Sequence, residues 1–136
     1  KAEAFNQELE DKEIVITADT VVWVNNQALN KPESNAVAKK MLEELSCTTH
    51  SVFTGVCLKT KNKTHSFFEE TKVSFNTLTS EEIDFYLRNY KPLDKAGAYG
   101  IQEFIGLIGI QKVEGDFYNV VGFPVQRFWR ELPSVL

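Results

Sequence analysis

Residues 14–24 form a run dominated by β-branched side chains, and the run ends at Asn25-Asn26. Val, Ile and Thr lose rotamers in a helix and fit the pleated surface of a sheet, so this stretch is committed to extended structure. Asn tolerates a left-handed φ, so Asn25-Asn26 predicts a tight turn, with Gln27-Ala28-Leu29 returning as a hairpin strand. Ala18-Asp19 interrupts the run with a carboxylate. A charge in such surroundings is costly to bury unless it meets a cation or performs chemistry. Asp19 is therefore either a structural residue at a strand end or turn, or a functional acid.

The rest of the chain alternates between extended and helical patterns. Residues 49–59 predict a strand, Lys61-Asn62-Lys63 its turn, and residues 64–75 the returning partner. Mixed polar and apolar residues in that partner suit a half-exposed antiparallel ribbon. Ser34 or Asn35 can cap a helix that reaches Leu45 and buries Val37, Met41, Leu42 and Leu45. Thr79-Ser80-Glu81-Glu82 is a capping box, opening a helix to about residue 89 that buries Ile83, Tyr86 and Leu87. Residues 1–9 predict the end of another helix, with Ala2, Phe5 and Leu9 on one face. Further on, residues 105–113 predict a strand, Glu114-Gly115-Asp116 a turn, and residues 117–121 its partner. Pro124 suits the first turn of a last helix, with Val125, Phe128, Trp129 and Leu132 packed inward. The expected fold class is mixed α/β (α+β): a twisted, largely antiparallel sheet flanked by helices, in one domain over residues 1–136.

Charge narrows the partners. Fifteen Lys+Arg against 19 Asp+Glu give a net charge of −4, which argues against a nucleic-acid polymer held by a basic surface. A small phosphorylated ligand needs only a few well-placed cations and stays open. No apolar run approaches the roughly 18 residues that span a bilayer, so no membrane role is expected. Cys47 and Cys57 have neither metal-ligand spacing nor a disulfide framework, and a reducing cytoplasm is the expected location. The chain begins Lys1-Ala2-Glu3 without Met, in what reads as mid-helix, so a preceding N-terminal segment is expected.

Several residues could carry chemistry. Pro32 pushes Lys31 towards an extended conformation, and a rigidly held ammonium is useful against phosphate oxygens; taken alone, however, Lys31, Lys1 and Lys95 each read first as solvated surface lysines. The segment 94–102, Asp94-Lys95-Ala96-Gly97-Ala98-Tyr99-Gly100-Ile101-Gln102, is punctuated by Gly and Ala. Small residues let backbone amides approach a ligand, while Lys95 and Gln102 add polar contacts; a structural turn beside the core accounts for the same segment equally well. It is neither a Walker A loop nor a dinucleotide fingerprint. His50 and His65 lack Cys or carboxylates at ligand spacing, which argues against zinc. A nucleophile-elbow motif is also absent.

In order along the chain, five stretches resemble the Maf family of nucleoside triphosphate pyrophosphatases. They are Ala18-Asp19-Thr20-Val21-Val22, Leu29-Asn30-Lys31-Pro32, residues 50–56, residues 94–102, and residues 114–124. The resemblance implies a cleft for nucleotide and hydrolysis of a triphosphate to the monophosphate and pyrophosphate, with a divalent metal cation, Mg²⁺ or Mn²⁺. It places the catalytic acid on Asp19, as proton acceptor or metal ligand. Lys1 and Lys31 match phosphate-facing lysines, and Thr20 and Gln102 match positions that choose the base. The form of the 94–99 segment resembles the branch acting on dTTP, UTP and modified uridine nucleotides, a house-cleaning role in the nucleotide pool. The implied alternative is a non-catalytic nucleotide-binding regulator of cell division, from the family's association with septum formation. Family members often form dimers, which makes Phe67-Phe68 and the last helix candidate contacts for a homodimer. One departure stands out: the family's opening strand, its Ser-x-Ser-Pro-Arg-Arg phosphate loop and a later metal-associated Glu have no counterpart in this sequence.

Overall fold

A computed structural model describes residues 1–5 and 8–136. Strand β1 (Val15–Val24) runs unbroken through Ala18-Asp19 and turns at Asn25-Asn26 into β2 (Gln27–Leu29). Both Asn residues are left-handed, with φ of 48° and 62°, as the tightest hairpin turn requires. Strands β3 (Thr49–Lys59) and β4 (Thr64–Phe75) form the long central hairpin, and β5 (Ile110–Glu114) borders β4. The sheet order is β2-β1-β3-β4-β5, and every neighbouring pair is antiparallel.

Side-chain alternation decides where the core lies. His50, Val52, Thr54, Val56 and Leu58 of β3 are buried, as are Thr71, Val73 and Phe75 of β4 and Val22 and Val24 of β1. Against this face pack α1 (Asn35–Leu45) through Ala38, Leu42 and Leu45, and α2 (Ser80–Tyr90) through Ile83, Tyr86 and Leu87. Each helix begins where a side chain satisfies its free amides. The Ser34 hydroxyl accepts from Val37 N; at the second helix the Thr79 hydroxyl accepts from Glu82 N while the Glu82 carboxylate accepts from Thr79 N. A second, smaller cluster of Val56, Leu58 and Val135 forms at the other end of the same face, under Phe123, Phe128 and Leu132. On the opposite face Trp23 and Phe68 are exposed.

Four expectations from the sequence fail. Residues 105–113 are not one strand but a short helix, α3 (Phe104–Gly109), followed by β5. The apolar run does not by itself distinguish the two periods. A Cβ on Gly106 would lie 1.9 Å from Ile101 O, so the helix lies against the backbone that precedes it. Residues 117–121 form α4 (Phe117–Val121) rather than a partner strand, because the Asp116 carboxylate caps Tyr118 N at 2.8 Å. In α5 (Val125–Glu131), Phe128 turns inward as expected, whereas Val125 and Trp129 are exposed. The helix expected over residues 1–9 is only a 3-10 turn at Ala2–Ala4, after which Phe5 is extended; Asn6 and Gln7 lie outside the described residues.

Candidate active site

The two apolar clusters leave a gap on the core face of β1. Ala18 packs with the smaller cluster, Val22 belongs to the larger one, and Thr20 lies between them. A cavity of about 340 Å³ opens there. Its walls come from Ala18, Asp19, Thr20 and Val22 of β1, from Val52 of β3, from the 94–102 loop, and from Val120, Val121 and Gly122 at the end of α4. Lys1 and Lys31 complete it. Asp19, Thr20, Lys1, Lys31, Lys95 and Gln102, each singled out from the sequence, all line this one cavity.

Asp19 stands beside a cation. Lys1 Nζ lies 2.8 Å from Asp19 Oδ1 and also donates to Ala18 O at 3.2 Å. That hydrogen bond holds the Asp19 carboxyl below its ordinary range, Lys31 adding a smaller pull in the same direction. The carboxylate is 69% exposed, so water screens it and the pair contributes little to folding. Its charge is therefore available to a ligand.

The loop that carries Lys95, Tyr99, Gly100 and Gln102 is fixed from below. Gly97 has φ of 67°, and a Cβ there would meet Val22 Cγ2 at 2.9 Å, so only glycine lets the loop lie against β1. The Tyr99 hydroxyl pairs with His50 Nε2, and Gly100 N donates to the Tyr86 hydroxyl at 3.1 Å. Tyr86 in turn donates to the Glu103 carboxylate. Lys95 Nζ lies 3.6 Å from Glu103 and 3.7 Å from Asp94, close to both charges but docked on neither. Burial pushes His50 down to about 4 and raises both tyrosines. The imidazole is thus a neutral strut.

Behind Thr20 runs a chain of buried polar groups that the sequence reading missed. Thr20 Oγ1 lies 2.9 Å from Thr54 Oγ1, and Thr54 donates to Asn119 O at 3.2 Å. Asn119 Nδ2 donates to Val52 O and to Thr71 Oγ1, and Thr71 donates to Asp116 O. The signal available in the sequence was a single Asn in the apolar stretch 117–121, where a buried amide demands partners. Asp94, Tyr99 and residues 120–122 also line the cavity without having been assigned a role from the sequence. The two histidines are not brought together: His50 lies in the core, and His65 pairs with Glu131 at 2.7 Å. Among the described residues no three His, Cys, Asp or Glu side chains gather as a metal site, and no helix is long and apolar enough to cross a membrane.

The Maf-like protein family profile matches residues 1–135. The chain belongs to the Maf-like family. A protein of Phocaeicola vulgatus called dTTP/UTP pyrophosphatase is 49% identical over 135 residues, covering 99% of this chain and 70% of the relative. One of Flavobacterium psychrophilum with the same name is 51% identical over 129 residues, covering 95% of this chain and 66% of its own length. One of Bacteroides thetaiotaomicron, likewise named, is 47% identical over 135 residues, covering 99% and 70%. The chain thus spans 66–70% of the length of these three Maf-like relatives.

Proposed function

We propose that this chain hydrolyses dTTP and UTP, together with modified uridine nucleotides, to the nucleoside monophosphate and pyrophosphate, clearing the nucleotide pool of the cytoplasm. What carries the reading is the convergence of Asp19, Lys1, Lys31, Lys95, Thr20 and Gln102 on one cavity. It is supported by relatives whose names state that activity.

A triphosphate is strongly anionic, and its leaving pyrophosphate gathers more charge as the bond to the α phosphorus stretches. Lys1, Lys31 and Lys95 line the cavity as cations for those oxygens, and stabilisation of this kind is usually the largest contribution to catalysis. When phosphate oxygens draw Lys1 away, Asp19 loses the hydrogen bond that lowers its proton affinity, and its basicity rises as substrate arrives. Asp19 then orients a water in line with the leaving group. The water oxygen bonds to the α phosphorus, the bond to the bridging oxygen breaks, and the water's proton passes to Asp19. The neutral side chains, Thr20 and Gln102, remain for the base; an amide offers both a donor and an acceptor to a uracil edge.

Mg²⁺ characteristically takes one or two carboxylates and completes its shell with substrate phosphates and water. The cavity's oxygen donors, the carboxylates of Asp19 and Asp94, fit such a shared site rather than an all-protein cage. A divalent cation held there by Asp19 would neutralise phosphate charge.

The test is a screen of nucleoside triphosphates against the protein at its full natural length, with and without Mg²⁺ or Mn²⁺, reading pyrophosphate release. dTTP and UTP should be the best substrates, and only with metal. Release from no triphosphate under any of these conditions would overturn the proposal.

A further inference from the structure

We infer that Thr54, which is buried and outside the cavity wall, sets the hydrogen-bond polarity of Thr20, making it an acceptor towards the base and so favouring pyrimidines that carry a ring N–H over cytosine. The inference deepens the nucleotide reading above and rests on it.

A hydroxyl has one proton to give and two lone pairs to offer. In the buried chain behind the cavity the Thr20–Thr54 contact alone is open in direction, and its neighbours decide it. Thr71 donates to Asp116 O at 2.8 Å, so towards Asn119 it only accepts, and Asn119 Nδ2 is the donor at 3.0 Å. Thr54 donates to Asn119 O at 3.2 Å. That carbonyl is not served by its own helix: the amides of Gly122 and Phe123, which follow it, both turn to Tyr118 O. Withdrawing the Thr54 proton would leave a buried backbone acceptor without a partner, which folded proteins avoid. Thr54 itself is 0% exposed and has no water to turn to. Its proton is committed.

With that proton used, Thr54 can only accept from Thr20, 2.9 Å away. The Thr20 proton points into the protein, and its hydroxyl presents lone pairs alone to the cavity it lines. Uracil and thymine carry a donor at N3; cytosine carries a lone pair at the same ring position. A site of acceptors rewards the first and leaves the second facing like charge, and rejecting a mismatched polar edge is the stronger form of selectivity. The acceptor chain is rigid, because Asn119 is pinned by its own amide to Val52 O at 3.1 Å.

The experiment compares kcat/KM for UTP and CTP in the wild-type protein, Thr54→Val and Thr54→Ser, at full natural length. Valine removes the acceptor and frees the Thr20 hydroxyl to donate to cytosine, so the UTP:CTP ratio should fall at least tenfold. Serine keeps the hydroxyl chain and should hold the ratio within about twofold of wild type. A folded, active Thr54→Val protein with the wild-type ratio overturns the inference while leaving the pyrophosphatase reading intact. Absence of turnover in the wild type defeats that reading and this one with it. Should the valine variant not fold, Thr54→Cys takes its place, because a thiol is a poor hydrogen-bond acceptor: a UTP:CTP ratio several-fold below wild type supports the inference, and the wild-type ratio overturns it.

Discussion

The Tyr99 hydroxyl and His50 Nε2 stand 2.7 Å apart in the core, tying the loop that walls the cavity to the central strand of the sheet. His50 is 2% exposed and stacks on Phe75, so its imidazole has no solvent to stabilise a charge.

A pH dependence of stability follows. Burial lowers the folded-state pKa of His50 from 6.5 to about 4. Between those values the unfolded chain binds a proton that the folded chain does not, so stability is whole above pH 6.5 and declines as pH falls through the window. The full loss amounts to roughly 3 kcal/mol. His50→Gln can still hydrogen-bond Tyr99 but does not titrate; urea unfolding from pH 7 to 5 should lose this His50 contribution to the slope in the variant. Equal slopes in the two proteins would remove His50 as the cause.

The approach of Gly97 to Val22 supplies a second prediction. Alanine at 97 must adopt a φ of 67° and place its Cβ 2.9 Å from Val22 Cγ2. Left-handed strain costs roughly 1–2 kcal/mol and overpacking roughly 1–3. Gly97→Ala should lose about 2–5 kcal/mol in urea unfolding, and adding Val22→Ala should reduce the further penalty of the alanine at 97. If the two substitutions are simply additive, the close contact is not what makes glycine necessary.

Much of this architecture could be read from local chemistry. The Asn25-Asn26 turn, the box at Thr79 and Glu82, and the bounds of β3 and β4 follow from rules that act within a few residues. The candidate site residues came from the family resemblance rather than from such local rules, since Asp19, Lys31 and the 94–102 segment each had a structural reading of their own; what the structure adds is that they line one cavity. What failed is what tertiary contact decides. The residues of α3 and α4 are apolar and β-prone, yet the first lies against Ile101 and the second is drawn in by Asn119, whose amide reaches strands β3 and β4. Thr54 was invisible for the same reason: on the sequence it is one more residue of a strand, and its meaning appears only beside Thr20 and Asn119.

Tyr86 is expected to act on the site without touching it. Its buried hydroxyl accepts from Gly100 N and donates to Glu103, which lies 3.6 Å from Lys95. Tyr86→Phe leaves the Gly100 amide and the Glu103 carboxylate without that partner, a loss of roughly 1–3 kcal/mol in stability. Lys95 should then be held less firmly, and KM for UTP should rise several-fold with a smaller change in kcat. Glu103→Gln keeps an acceptor for the tyrosine but removes the charge facing Lys95. If KM rises for Tyr86→Phe and not for Glu103→Gln, the hydrogen-bonded scaffold positions the lysine; if neither moves it, this network has no part in binding.

Asp19→Asn separates chemistry from folding. The carboxylate is 69% exposed and its partner Lys1 59%, so the exchange should shift stability by no more than about 0.5 kcal/mol. An amide, however, cannot take the proton of an attacking water and is a poor partner for a cation. Loss of one well-placed charge typically costs around 3 kcal/mol of barrier, so turnover of UTP should drop by about a hundredfold or more. Thermal melting and pyrophosphate release measured on the same preparation distinguish the outcomes. An unchanged melting temperature with turnover nearly abolished is the expected result, and a variant that keeps a tenth of the wild-type rate would remove Asp19 from the centre of the reaction.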